Sequence, residues 1–174
     1  ALCAGTLPAQ ERASLELCEP RLFRALCTPS GSTNAPVDGR SSAAWVPAQG
    51  CPPFLCSDVR DAMTSLGVKP ELQRAVFRLL AAVLHLSNVD FASDDEFSAA
   101  RVADDVPLRK SAELMSIDAS VLRDALTSAT MNVVGAPPQV RRFNKSRCVA
   151  SRNTLAKTVY AACFDFLIQT INAA

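Results

Sequence analysis

The amino-acid sequence predicts a mainly α-helical fold with a few short strands, built as one domain. Three observations carry that expectation. Residues 71–88, ELQRAVFRLLAAVLHLSN, are an apolar run of helical length with a start signal in front of it. Residues 146–173 repeat apolar side chains at three-to-four spacing over the longest such stretch in the chain. Between them only short segments read as extended: 89–91, 97–103, 131–134 and 139–143. At 174 residues, 49% hydrophobic and 20% charged, the chain can bury one core.

The elements follow in order. The opening ALCAG reads as the last turn of a helix ending at Gly5, with no secretory leader expected. Residues 9–17 alternate helically, and 19–26 form a second short helix after Pro20. Composition then shifts to Pro, Gly, Ser, Thr and Asn over 27–53, which predicts a mobile surface insertion pinned by Trp45 and Val46. Ser57 and Asp58 open the next helix; Val59, Ala62, Met63 and Leu66 share a face, and Gly67 closes it. Lys69-Pro70-Glu71 starts the helix over 71–88, since Pro suits the first helical position and an acid the first turn. Arg74 and Arg78 mark its wet side, Leu84 lies deep in the core, and Asn88 stops it in the left-handed conformation.

Residues 93–96, SDDE, form an acidic turn that lacks the spaced ligands of a calcium loop. Helices follow over 107–115, with Leu108, Ala112, Leu114 and Met115, and over 119–129, capped by Asp118, with Val121, Leu122, Ala125 and Leu126. The chain then runs out along 131–134, turns at Gly135-Ala136-Pro137-Pro138 and returns along 139–143. The last helix carries Leu155, Val159, Cys163, Phe166 and Ile171, widened by Tyr160, Phe164 and Leu167, with Arg152 and Lys157 off the stripe. It stops within its own pattern, so both ends predict a piece of a longer chain.

The sequence holds little visible chemistry. His85 is the one histidine and sits between leucines, which makes it a satisfied core residue rather than a base or ligand. The seven cysteines form no CxxC pair, so reduced thiols are expected rather than a zinc site. Neither G-x-x-x-x-G-K-[ST] nor G-x-G-x-x-G occurs, so no residue is assigned to catalysis, cofactor or metal. A net charge of +1 excludes a global field for nucleic acid, and no run spans a membrane. One local feature stands out: Arg141, Arg142, Lys145, Arg147 and Arg152 fall together with no acid among them. That run is either a solvated junction or a docking edge for an acidic partner.

Four separated segments resemble the myosin motor domain, in the family's order. ALCAG with ERASLEL and PRLFRAL resembles the family's "LLAG", "L-L" and "P-x-x-Y-x-Y-L" series, with Phe23 where Tyr is usual. DVRDAMTSLGV resembles "AM-x-x-LG", and LLAAVLHLSNVDF resembles "ILHLGN-I-F", with Ser87 in place of Gly. SRNTLAKTVYAACFDFLIQTIN resembles "RDALAKAIY-x-x-LFDWLV-x-x-IN", with Asn153-Thr154 for Asp-Ala and Phe166 for Trp. The match covers nearly all of 1–174 except 27–53.

The resemblance implies a fragment of a P-loop NTPase-type motor head: the helical upper subdomain between switch I and switch II, bordering the actin-binding cleft. It implies that the parent is an actin-activated, ATP-driven cytoplasmic motor using ATP and Mg. This fragment would bind neither alone, would be inactive as an enzyme, and would couple nucleotide state to actin affinity. Its partners would be the actin filament and the rest of the heavy chain. The excursion over 131–143 would be the family's actin-contacting loop, with Val134, Gly135, Ala136, Pro137, Pro138, Gln139 and Arg141 as the contact residues. Arg142 is left between an inward position and an internal pair. Many unconventional myosins hold an acidic or phosphorylatable residue sixteen positions before the Asp of "DAL"; here that count, from Asn153, lands on Pro137. The alternative is a free-standing helical interaction module without ATPase activity.

Overall fold

The long helix predicted over 71–88 is present as α3 (Pro70–Ser87), and it contributes to both hydrophobic cores of the described residues. The computed structural model describes residues 9–17, 23, 56–131 and 137–173. The expected turn at Gly5, most of the expected helix over 19–26, the insertion over 27–53 and the loop tip at 132–136 lie outside the described residues. The described elements are α1 (Ala9–Ser14), α2 (Cys56–Ser65), α3, β1 (Phe91–Ala92), β2 (Arg101–Val102), α4 (Asp105–Met115), α5 (Ala119–Thr127), β3 (Ser128–Met131), β4 (Gln139–Arg142) and α6 (Lys145–Asn172).

Helix α3 starts where the sequence signals it, with Lys69 at the N-cap and Pro70 in the first turn, where its missing N–H costs nothing. One side packs Phe77, Ala81 and Leu84 with Leu15, Leu17 and Phe23. At its other end Leu86 joins Val89, Phe91, Leu108, Ala112, Leu122, Leu126, Phe143 and Cys148 in a second core. Helix α4 packs close enough for Ser111 Oγ to donate to the Ala82 carbonyl at 3.0 Å, deep in the structure. Arg74 and Arg78 are exposed as expected, and Arg78 reaches the end of α4 at Ser116 Oγ (2.6 Å) and the Glu113 carbonyl (3.1 Å).

His85 is the satisfied core residue that the sequence predicts. Its Nε2 lies 3.1 Å from the Leu15 carbonyl and its ring meets Phe23 edge-on. Burial pushes its pKa below the ordinary imidazole value, against the pull of the Leu15 hydrogen bond. The Leu15 turn is further held by an ion pair between Glu16 and Lys110. Helix α1 ends at Ser14, short of the expected 17, because Glu16 takes a positive φ of 50° and turns the chain.

Several expectations need correction. Asn88 ends α3 with φ −87° and ψ −9°, right-handed rather than left-handed, so the chain leaves through a tightened last turn: Asn88 N–H bonds to the His85 carbonyl and Val89 N–H to Leu86. That turn consumes Val89, and the first strand therefore begins at Phe91 rather than 89. Its partner is only Arg101–Val102, pairing Phe91 with Val102 and Ala92 with Arg101. On α2, Val59 and Met63 are half-buried, while Ala62 and Leu66 are exposed. The helix is instead tied down by Arg60, whose guanidinium makes two bonds to the Glu11 carboxylate (3.0 and 2.5 Å) and lies over the Phe77 ring. Gly67 does close α2, at φ 77°, where a side chain would be strained. Val68 N–H then bonds back to the Met63 carbonyl.

Helix α4 begins at Asp105, earlier than expected, because Asp104 caps it by accepting from Val106 N–H at 2.9 Å. Helix α5 has the expected Asp118 cap, but of its four expected core residues only Leu122 and Leu126 are buried. Val121 is 62% exposed and Ala125 is exposed, because i, i+4 spacing aims one row inward and leaves the adjacent row in solvent. The helix stops at Thr127, so the outgoing strand starts at Ser128 rather than 131.

Helix α6 departs most from its pattern. It begins at Lys145, and its buried residues are Cys148, Arg152 and Cys163. Tyr160, Phe164, Phe166 and Ile168 are exposed, so the described residues leave much of the predicted stripe uncovered. Burial raises the pKa of the Cys148 and Cys163 thiols, and both are unbridged.

Candidate functional site

Leaving α5, the chain runs out along β3 and back along β4 as a two-stranded antiparallel ribbon. Ser128 pairs with Arg142, Ala129 with Arg141, Thr130 with Val140 and Met131 with Gln139. Residues directly opposite share a face, and successive residues alternate. One face therefore carries Ala129, Met131, Gln139 and Arg141, and the other Ser128, Thr130, Val140 and Arg142. Arg141 and Arg142 must point to opposite sides. Both are exposed, and neither has an ion pair among the described residues, so Arg142 takes neither the inward position nor the internal pair expected of it. The whole of β4 is exposed, with Val140 at 65%.

The ribbon stands on a fixed base. Phe143 is buried, and its N–H donates to the Thr127 carbonyl at 2.8 Å. Its own carbonyl accepts from Ala100 N–H at 2.8 Å, which joins this ribbon to the β1–β2 hairpin. Asn144 caps α6 through Oδ1, which accepts from Arg147 N–H at 3.1 Å, and its amide donates to the Glu96 carbonyl at 3.2 Å. The Arg147 guanidinium lies 4.5 Å over the Phe143 ring. The sequence reading missed Phe143 and Asn144 as supports. Asn144, just ahead of the helical pattern, carried an N-cap signal that could have found one of them.

Pro137, Pro138, Gln139 and Arg141, four of the predicted contact residues, are exposed on the returning arm. Val134, Gly135 and Ala136 lie outside the described residues. The basic run is not one surface: Arg152 is 7% exposed, and its guanidinium donates to the Val89 carbonyl at 2.6 Å and to Asn153 Oδ1 at 3.1 and 2.9 Å. The expectation that it lies off the buried face, with the solvated cations, is therefore corrected. Arg141, Arg142, Lys145 and Arg147 remain exposed. The first turn of α6 contains no acid. Cations there oppose the positive end of the helix dipole, a local cost that contact with an acidic surface would relieve.

Beside the base lies an open hollow of about 480 Å³, lined by Ser93, Asp95, Glu96, Lys145, Ser146 and Val149. The Asp95 carboxyl is occupied in shaping its own turn. It accepts from Ser98 Oγ and from the N–H groups of Phe97 and Ser98, and these bonds, the Ser98 hydroxyl first, hold its pKa below the usual carboxylate range. Among the described residues no three His, Cys, Asp or Glu side chains converge as metal ligands. With the phosphate-cradling motifs also missing from the sequence, these residues do not fit a magnesium-nucleotide site.

The family profile described as "Myosin head (motor domain)" matches residues 54–174. Among curated proteins, Myosin-17 of Arabidopsis thaliana is 34% identical over 98% of this chain and 10% of its own length. Myosin-15 of the same plant is 33% identical over 98% of this chain and 10% of its own, and Myosin-5 is 37% identical over 66% and 8%. The chain thus spans about a tenth of the length of the curated relatives it matches.

Proposed function

The chain belongs to the myosin head (motor domain) family, and from that premise we propose that it is a segment of an actin-based, ATP-driven motor whose β3–β4 ribbon meets the filament. The exposed ribbon on its buried base is the observation that carries this reading. Each part has a physical role. The prolines stiffen the return arm, so docking costs little ordering entropy. Val140 and Met131 offer apolar contact, one on each face of the ribbon. Arg141 and the cations at the start of α6 steer an acidic partner and make association salt-sensitive. Pro137, exposed at the position where the resemblance implies an acidic or phosphorylatable residue, can carry neither charge nor phosphate.

Nucleotide and magnesium would be bound elsewhere in a P-loop NTPase-type head, and this segment, in the upper subdomain, would transmit that state to the actin cleft. The motor would work on the cytoplasmic actin cytoskeleton, joined to the rest of its heavy chain. Among the described residues no helix is long and apolar enough to cross a membrane. A free-standing interaction module is not favoured, because the similarity to motor heads runs through nearly the whole chain.

The test is to replace residues 135–138 with a Gly-Ser run in a complete motor head and measure actin cosedimentation. Weaker binding at every salt concentration is expected. Unchanged affinity in a folded head would make the ribbon a plain surface turn. As a companion, calorimetry on the isolated 174-residue chain should show no saturable ATP binding; saturable binding would overturn the assignment of nucleotide to other parts of the head.

A further inference from the structure

The ribbon's base is part of a closed ring of bonds, and one buried side chain closes it. From Phe143, the carbonyl accepts from Ala100 N–H, just before β2. Strand β2 pairs with β1, and Ala103 N–H bonds to the Asp90 carbonyl. Val89, next in line, is fully buried, and its carbonyl accepts from Arg152 Nη1 at 2.6 Å. Arg152 lies on α6, which returns through the Asn144 cap to Phe143. Asn153 Oδ1 accepts from both Nε and Nη2 and so holds the guanidinium plane. The other links named here are backbone bonds, the covalent chain and the Asn144 cap. Arg152 is therefore a buried side-chain link that a substitution can remove without rewriting the backbone.

We propose that Arg152 is a positioning residue for the ribbon: by tying α6 to the α3–β1 junction it fixes the direction in which β3–β4 leaves the body. The inference rests on the actin reading above. Its side chain is buried, so it cannot touch a partner, and its effect must pass through the ribbon.

The experiment is a double-mutant cycle in a complete motor head, read by actin cosedimentation across a salt series. Arg152→Met should weaken binding about three- to tenfold while leaving the salt slope unchanged. Arg152→Lys should recover part of the loss, because an ammonium can still reach the Val89 carbonyl but not hold the two-pronged bond to Asn153. With 135–138 already replaced by Gly-Ser, either Arg152 substitution should have no further effect. An equal additional loss in that background would overturn the proposal, since it would show Arg152 acting through general stability. A changed salt slope would also overturn it, by making Arg152 a surface contact. If Arg152→Met fails to fold, Arg152→Lys completes the same cycle. If the Gly-Ser replacement alone changes nothing, the actin reading fails. The strut is then read separately by hydrogen exchange: faster exchange at the Ala100 and Phe143 amides in Arg152→Lys supports it, and unchanged exchange refutes it.

Discussion

Helix α3 and the β3–β4 ribbon put their apolar residues to opposite use. Helix α3 buries side chains on two sides and carries its exposed charge on Glu71, Arg74 and Arg78. Every residue of β4 is exposed, with Val140 and two arginines presented on alternating faces. The difference separates two uses of an apolar residue. In α3 it supplies free energy for folding; on the ribbon it stays exposed, open to the contact proposed above. A substitution in α3 should therefore change stability, and one on the ribbon should change binding.

The largest expected effect comes from breaking the α3 side of this contrast. Leu84→Ala in a complete head should cost about 2–5 kcal/mol by chemical denaturation, because the cavity opens between Phe77, Leu15 and Phe23. Val140→Ala on the ribbon should stay within about 0.5 kcal/mol of the parent. A loss under about 1 kcal/mol at Leu84, or a large loss at Val140, would erase the distinction.

The junction between the two regions should behave in an intermediate way. Asn144→Ala removes both the α6 cap and the bond to Glu96, and should cost about 0.5–2 kcal/mol. Asn144→Ser keeps a capping oxygen and should recover most of that stability. Equal losses in both variants would mean that the cap contributes nothing.

A smaller effect comes from pH. The pKa of His85 is lowered in the fold by burial, so the unfolded chain takes up the proton first as pH falls. Its contribution is therefore complete above the ordinary imidazole pKa of about 6.5 and declines as pH drops through the lower folded value. Thermal unfolding followed from neutral to acid pH should show this decline, and His85→Gln, which keeps a donor for the Leu15 carbonyl, should flatten it. An unchanged profile in that variant would place the acid sensitivity elsewhere.

The contrast also explains what could be read in advance. Lys69-Pro70, Gly67 and Asp118 are local signals acting within one turn, and each sits where the sequence places it. The ribbon was legible because its outgoing and returning arms flank a Gly-Ala-Pro-Pro run. Arg152 was misread because its partner, Val89, lies 63 residues away, and no local pattern distinguishes a buried cation from a solvated one. Val121 and the α6 aromatics were misread for another reason. An apolar stripe records that a surface is apolar, but not which part of it the neighbouring elements cover. The support at Phe143 and Asn144 depends on bonds to Ala100 and Glu96, more than forty residues distant, and becomes visible only once the chain has folded back.

The most direct test of the central claim uses the smallest change. Arg141→Glu reverses one exposed charge on one face of the ribbon and touches nothing in the core. An exposed charge contributes about 1 kcal/mol or less, so binding should weaken without being abolished. Actin cosedimentation of a complete head carrying this substitution, repeated from low to high ionic strength, should show a clear loss at low salt that shrinks as salt screens the surface. An affinity equal to the parent's at every ionic strength, in a head that remains folded, would contradict the assignment of this ribbon to the filament.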